Sequence, residues 1–151
     1  MSDNAAPWHL RRATADDVAT VTACAVEAFR TYIARLGLTP RPMTRDYAQA
    51  IAHLQVWVAE RPEQQIGAAL LLDVTDEGFL IDVIAVHPDH QGSELAEREA
   101  LRQGHASIYL FTNEKMTENL ALYQRIGYVE YRRESLDGRT RVYLRKPLTR
   151  A

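Results

Sequence analysis

The stretch FLIDVIAVHPDHQGS, residues 79–93, decides the fold. From Phe79 to Val86 every position is apolar except Asp82, and so continuous a run reads as a strand covered on both faces. His87-Pro88 stops it. From Glu94 to Gln103 the composition turns to Glu, Ala, Leu and Arg, a helix that Gly104 closes. Ile108 to Thr112 returns to a strand pattern. Strand, helix and strand in that order make a crossover unit, so the strands ending at Val86 and starting at Ile108 are predicted to be parallel.

Upstream, Gln55–Glu60 contains Val56-Trp57-Val58, and Ile66–Val74 contains the apolar run from Ala68 to Leu72. Short turns at residues 61–65 and 75–78 join these strands to each other and to the strand at Phe79, so all three are predicted antiparallel neighbours. Before them, residues 8–12 read as a first strand and Thr14 with Asp17 as a capping box. Val18, Val21, Ala25, Ala28, Phe29 and Tyr32 then form the apolar stripe of a helix that Gly37, Pro40 and Pro42 end. A shorter helix is predicted from Thr44 to His53. Downstream, a helix from Met116 to Ile126 stops at Gly127, and a hairpin of strands 128–135 and 139–146 turns at Asp137-Gly138.

The chain has 151 residues, 46% of them hydrophobic and 25% charged, with no repeat or composition break, so residues 1–151 are expected to form one domain. A net charge of −2 argues against a general binder of nucleic acid or anionic membranes. Cys24 is the lone cysteine, which excludes an internal disulfide and fits a reducing compartment; among Val21, Ala25 and Ala28 it reads as a small core residue. No apolar run approaches the roughly 20 residues that span a bilayer, and no basic-then-apolar leader opens the sequence, so a cytoplasmic protein is expected. The five histidines are scattered without ligand spacing, and no metal is expected.

Two segments carry candidate chemistry. Residues 86–92 lie between a buried strand and a helix, where free N–H groups and the helix dipole favour an anion, although an ordinary turn reads the same way. Residues 119–128 place Tyr123 near the end of a helix that stops at Gly127, just before Tyr128 opens a strand. In this order and about 30 residues apart, the two segments resemble the GCN5-related N-acetyltransferase (GNAT) superfamily, and the likeness extends over nearly the whole chain, closest to small bacterial members of unassigned acceptor. It implies an α/β fold with a mixed central sheet flanked by helices: an antiparallel N-terminal meander, then a parallel pair where the fourth and fifth strands splay apart.

The resemblance further implies acetyl-CoA as co-substrate and a primary amine, small-molecule or peptide, attacking directly in a ternary complex; a homodimer is compatible with it. Backbone groups of Ile84, Ala85 and Val86 would hold pantetheine and polarise the thioester, with Gln91, Gly92, Ser93 and Asn119 also on the cofactor side. Tyr123 matches the residue that protonates the departing thiolate; its other reading is a core tyrosine with a bonded hydroxyl. Asp82 is the candidate base, since burial in an apolar strand would raise its pKa, or else it anchors the acceptor. Glu27, Tyr32 and Arg35 lie where the superfamily builds its acceptor pocket, but such residues also make a solvated helix face. The arginines of the last strand, Arg139, Arg141 and Arg145, read first as a solvated hairpin face, the alternative being contact with CoA phosphates or an acidic partner.

One departure stands out. The superfamily's signature continues past the first glycine with a second Gly or Ala, whereas here Gln91-Gly92-Ser93 runs straight into Glu94. From Gln91 to Gly104 the chain is about seven residues short, close to two helical turns, with the gap near residues 92–95. Either the pyrophosphate loop is lost, leaving a weakened or non-catalytic acetyl-CoA-binding relative that works through protein contacts, or the sequence here skips a segment of the natural chain. The retention of Tyr123, Asp82 and the acceptor-side helices favours the second.

Overall fold

The computed structural model describes residues 8–60, 66–86 and 91–149. Its strands are β1 (His9–Arg12), β2 (Gln55–Glu60), β3 (Ile66–Thr75), β4 (Gly78–Val86), β5 (Ser107–Asn113), β6 (Val129–Leu136) and β7 (Arg139–Pro147). Its helices are α1 (Val18–Phe29), α2 (Ile33–Leu36), α3 (Tyr47–His53), α4 (Gln91–Arg102) and α5 (Thr117–Arg125). All seven strands share one sheet in the order β1-β2-β3-β4-β5-β7-β6, and every neighbouring pair is antiparallel except β4 with β5. The parallel crossover and the hairpins therefore stand as predicted. The turn expected at residues 61–65 and the segment His87–His90 lie outside the described residues.

Each face of the sheet buries its own core. Leu70, Leu72, Phe79, Ile81, Ile108, Leu110, Val142 and Leu144 pack with Leu95, Ala96 and Ala100 of α4, and Leu120 and Tyr123 of α5 lie against them. On the other face Val56, Val58, Leu71, Val83 and Ala85 pack with Val21 and Ala25 of α1 and with Tyr47 and Ala50 of α3. Consecutive leucines 70–72 thus serve both cores, which is why the strand carries no polar alternation.

Helix boundaries moved for identifiable reasons. Thr14 N donates to Asp17 Oδ2 at 2.8 Å, forming the capping box, but the first turn is a 3₁₀ turn and α1 begins at Val18. The predicted first helix breaks after Phe29 into a second 3₁₀ turn, Arg30–Tyr32, before α2 runs to Gly37, whose φ of +71° only glycine adopts readily. Asp46 accepts from Gln49 N at 3.1 Å, so α3 starts at Tyr47, three residues later than predicted. Helix α4 starts at Gln91, three residues early.

Candidate active site

The sheet is interrupted at Asp82. Pairing of Leu72 with Ile81 and of Leu71 with Val83 leaves Asp82 without a partner on β3, a β-bulge. Before it Phe79 and Ile81 face α4 and α5; after it Val83 and Ala85 face α1 and α3. Pairing with β5 ends at the same point: Phe79, Leu80 and Ile81 pair with Ile108, Tyr109 and Leu110, and among the described residues β4 pairs with β5 no further. The two parallel strands therefore part, and a cavity of about 160 Å³ fills the opening. Met116, which precedes α5, and Asn119 and Tyr123 within it line the cavity, as do Phe29, Leu36 and Arg41 and Pro42 of the 3₁₀ turn Arg41–Met43.

Asp82, the candidate base or acceptor anchor, is on the cavity wall with its side chain 18% exposed, and it is ion-paired. Its Oδ2 accepts a 3.0 Å bond from Arg45 Nη1, donated from the segment between the 3₁₀ turn and α3. Nearby, Tyr47 is buried and donates its hydroxyl to Pro42 O at 2.6 Å; burial pushes its phenol up to about 12, Arg45 opposing that shift and Asp82 adding to it.

Tyr123 also lines the cavity. Its ring meets Tyr128 edge to face, centroids 5.6 Å apart, and among the described residues nothing hydrogen-bonds its hydroxyl. Burial pushes the phenol up to about 12, with a smaller contribution from Tyr32. Tyr128, by contrast, is fully buried and donates to Glu97 Oε2 at 2.9 Å, so the two tyrosines of the motif divide into an open hydroxyl and a bonded one.

The acceptor-side candidates separate. Tyr32 is half-buried and close enough to Tyr123 to shift it. Arg35 is committed elsewhere: it forms a forked ion pair with Glu118 on α5, Nη2 to Oε2 being 2.7 Å, and covers the Tyr32 ring. Glu27 is exposed, pairs with Arg30 at 3.6 Å, and does not line the cavity. On the cofactor side, Ile84 and Asn119 line the cavity, whereas the Ala85 methyl is buried in the α1/α3 core. Val86 ends β4 opposite Ala68. Gln91, Gly92 and Ser93 form the first turn of α4, with Ser93 buried and the exposed Glu94 next in line.

Sequence reading missed Arg45 and Arg41, and it favoured a solvated face for Arg139 and Arg141; all four lie at or beside the cavity. Only the alternation of β7 hinted at the last two. Among the described residues no cluster of three His, Cys, Asp or Glu could hold a metal ion, and no helix is long and apolar enough to cross a membrane.

A parallel pair that parts at a bulge, with a tyrosine and a carboxylate lining the opening, is the arrangement to set beside known proteins. Residues 52–130 match the family model of the acetyltransferase (GNAT) domain, and the chain belongs to that family. A GNAT-family acetyltransferase from Bacillus cereus has the same fold at a TM-score of 0.70 and 16% identity, covering 96% of this chain and 100% of its own. One from Listeria monocytogenes gives 0.69 at 15% identity, covering 93% and 95%. No curated protein matches the sequence. The family's general activity is acetyl transfer.

Proposed function

We propose that this protein transfers acetyl from acetyl-CoA to a primary amine by direct attack in a ternary complex. The observation that supports this reading is the cavity itself, open between β4 and β5 and lined by Tyr123 from one side and Asp82 from the other. Beyond Ile81 the β5-facing edge of β4 has no partner strand among the described residues, which supports giving the backbone groups of Ile84, Ala85 and Val86 to a pantetheine arm and the thioester oxygen.

In the reaction the amine nitrogen bonds to the acetyl carbon as the carbon–sulfur bond breaks. The proton shed by the nitrogen passes to Asp82, directly or through water, and the thiolate takes a proton from Tyr123 Oη. Burial holds that phenol protonated, and the same desolvation raises the basicity of a thiolate arriving beside it. Arg45 orients the carboxylate. Asn119 belongs to the cofactor side, and the N-terminus of α4 at Gln91, Gly92 and Ser93 would meet the pyrophosphate, in a cradle that lacks the second small residue.

We read residues 1–151 as one domain that is short by about seven residues in this cradle. That shortfall supports a second reading, a non-catalytic acetyl-CoA-binding relative. Calorimetry with acetyl-CoA, followed by thiol release across an amine panel, separates the two. An enzyme binds and releases thiol, and Tyr123→Phe slows it. A relic binds, releases none and ignores the substitution; absence of binding rejects both.

A further inference from the structure

The cavity wall holds positive charge that the proposed proton transfers do not use. Arg41 from the 3₁₀ turn and Arg139 and Arg141 from β7 all line it. Among the described residues none of the three has a carboxylate partner, although ion pairs abound elsewhere. The contrast is sharp one strand away, where Arg132 pairs with Glu77 at 2.5 Å and Arg133 with Glu130 at 2.7 Å. The one carboxylate on the cavity wall, Asp82, is already taken by Arg45.

Two of these guanidiniums are held in place by uncharged groups. Arg141 lies over Phe111, its Cζ 4.2 Å from the ring centroid, and its N–H groups have no hydrogen-bond partner among the described residues. Arg139 Nη2 donates to Thr39 O at 3.5 Å, a long contact that ties it to the loop after α2. Half-buried arginines fixed in this way and left without acids form a receptor for a planar or tetrahedral oxyanion. Their field also repels an ammonium and so favours the neutral amine that attacks.

We propose that the acceptor is an amine that also bears an acid group, a carboxylate or phosphonate as in an amino acid, gripped by Arg139 and Arg141 with Arg41 at the mouth. This rests on the acetyl-transfer reading, and the test separates the two. Matched pairs of amines, each an α-amino acid or aminophosphonate and its uncharged amide or ester, are titrated against the purified protein by calorimetry and assayed with acetyl-CoA for thiol release. Wild type, Arg141→Gln, Arg139→Gln and Arg141→Lys are compared, with thermal melts to check folding.

We expect acid-bearing members to bind and react about tenfold or more better than their neutral partners. Either glutamine variant should erase that preference by raising KM with little change in kcat, and Arg141→Lys should keep part of it. Turnover of neutral amines with equal or greater efficiency overturns the inference and leaves acetyl transfer intact. Arginine-dependent binding of acids without thiol release supports the anion site and rejects the transfer reading. Acid preference that survives both glutamine variants, or no acid preference in either readout, overturns the inference.

Discussion

Asp82 Oδ2 lies 3.0 Å from Arg45 Nη1, joining the bulged residue of β4 to the segment that leads into α3. The bulge aims the carboxylate at the cavity and the guanidinium fixes its orientation. Asp82→Asn keeps the shape and removes the proton acceptor, so we expect kcat/KM to fall about 100-fold. Arg45→Gln should cost less, about tenfold, because the carboxylate remains but loses its orienting partner. Steady-state thiol release measures both, and urea unfolding, run beside it, shows how much of any loss reflects stability rather than chemistry. Equal activity of Asp82→Asn and wild type would remove Asp82 from the mechanism.

Tyr123 makes a prediction about pH. With its phenol pushed up to about 12 from an ordinary value near 10, it stays protonated throughout the working range, so it adds no falling limb to the rate profile near pH 10. Tyr123→Phe should lower kcat by about 100-fold without shifting the profile. The same shift bears on stability. A phenol whose folded pKa is raised stabilises the fold fully below pH 10 and loses that contribution as pH rises through about 12. Tyr47 shares this behaviour. Unfolding free energies across pH 9–12 should therefore decline, and less steeply in Tyr123→Phe.

The parts of the fold that were legible were those written in local pattern. The leucines at 70–72 announce a strand buried on both faces, and Asp137-Gly138, with φ of +54° and +76°, announces its hairpin turn. The bulge at Asp82 has no such signature, because it exists only in the register between two strands. Arg45 and Asp82 are 37 residues apart, and no periodicity links them. Glu27 and Arg35 were grouped on one helical face, but the 3₁₀ turn at Arg30–Tyr32 intervenes and changes the angular phase by roughly 60° over three residues. The arginines of β7 alternate as a solvated strand would, and only the fold brings two of them beside Arg41.

Glu97 ties the motif's second tyrosine to the last strand. It accepts from Tyr128 at 2.9 Å and pairs with Lys146 at 3.0 Å, its own side chain 14% exposed. Tyr128→Phe leaves the ion pair and should cost about 1 kcal/mol. Lys146→Met strands a buried carboxylate and should cost about 3 kcal/mol. Chemical denaturation of the two variants checks the order; a costlier Tyr128→Phe would show that the hydroxyl, not the ammonium, holds Glu97.

At the other end of the sheet, Asp17 accepts from both Arg11 and Thr14. The Arg11 hydrogen bonds hold its carboxyl down at about 2 against an ordinary value of 3.8, in spite of burial. The stabilisation is complete above pH 4 and is lost as pH falls through about 2, so it should weigh about 1–2 kcal/mol at neutrality. Asp17→Asn should remove it, destabilising the protein at pH 7 yet leaving it close to wild type at pH 2. Unfolding at the two pH values tests the sign.

The short approach to α4 predicts how the protein divides its affinity for acetyl-CoA. On the proposed reading the pantetheine arm would lie in the gap between β4 and β5, whereas the pyrophosphate would meet a helix that starts at Gln91 with one glycine and with Glu94 in its first turn. A carboxylate near a helix N-terminus competes with a bound phosphate for the same dipole. We therefore expect S-acetylpantetheine to bind within about tenfold of acetyl-CoA, and Glu94→Gln to improve acetyl-CoA alone by about 0.5 kcal/mol. Inserting seven residues with the second glycine between Ser93 and Glu94 should widen the gap between the two donors. A peptide map of the natural protein that found residues between Ser93 and Glu94 would show that such a segment is already present. Strong preference for acetyl-CoA in the 151-residue chain would instead place the nucleotide's grip outside the start of α4.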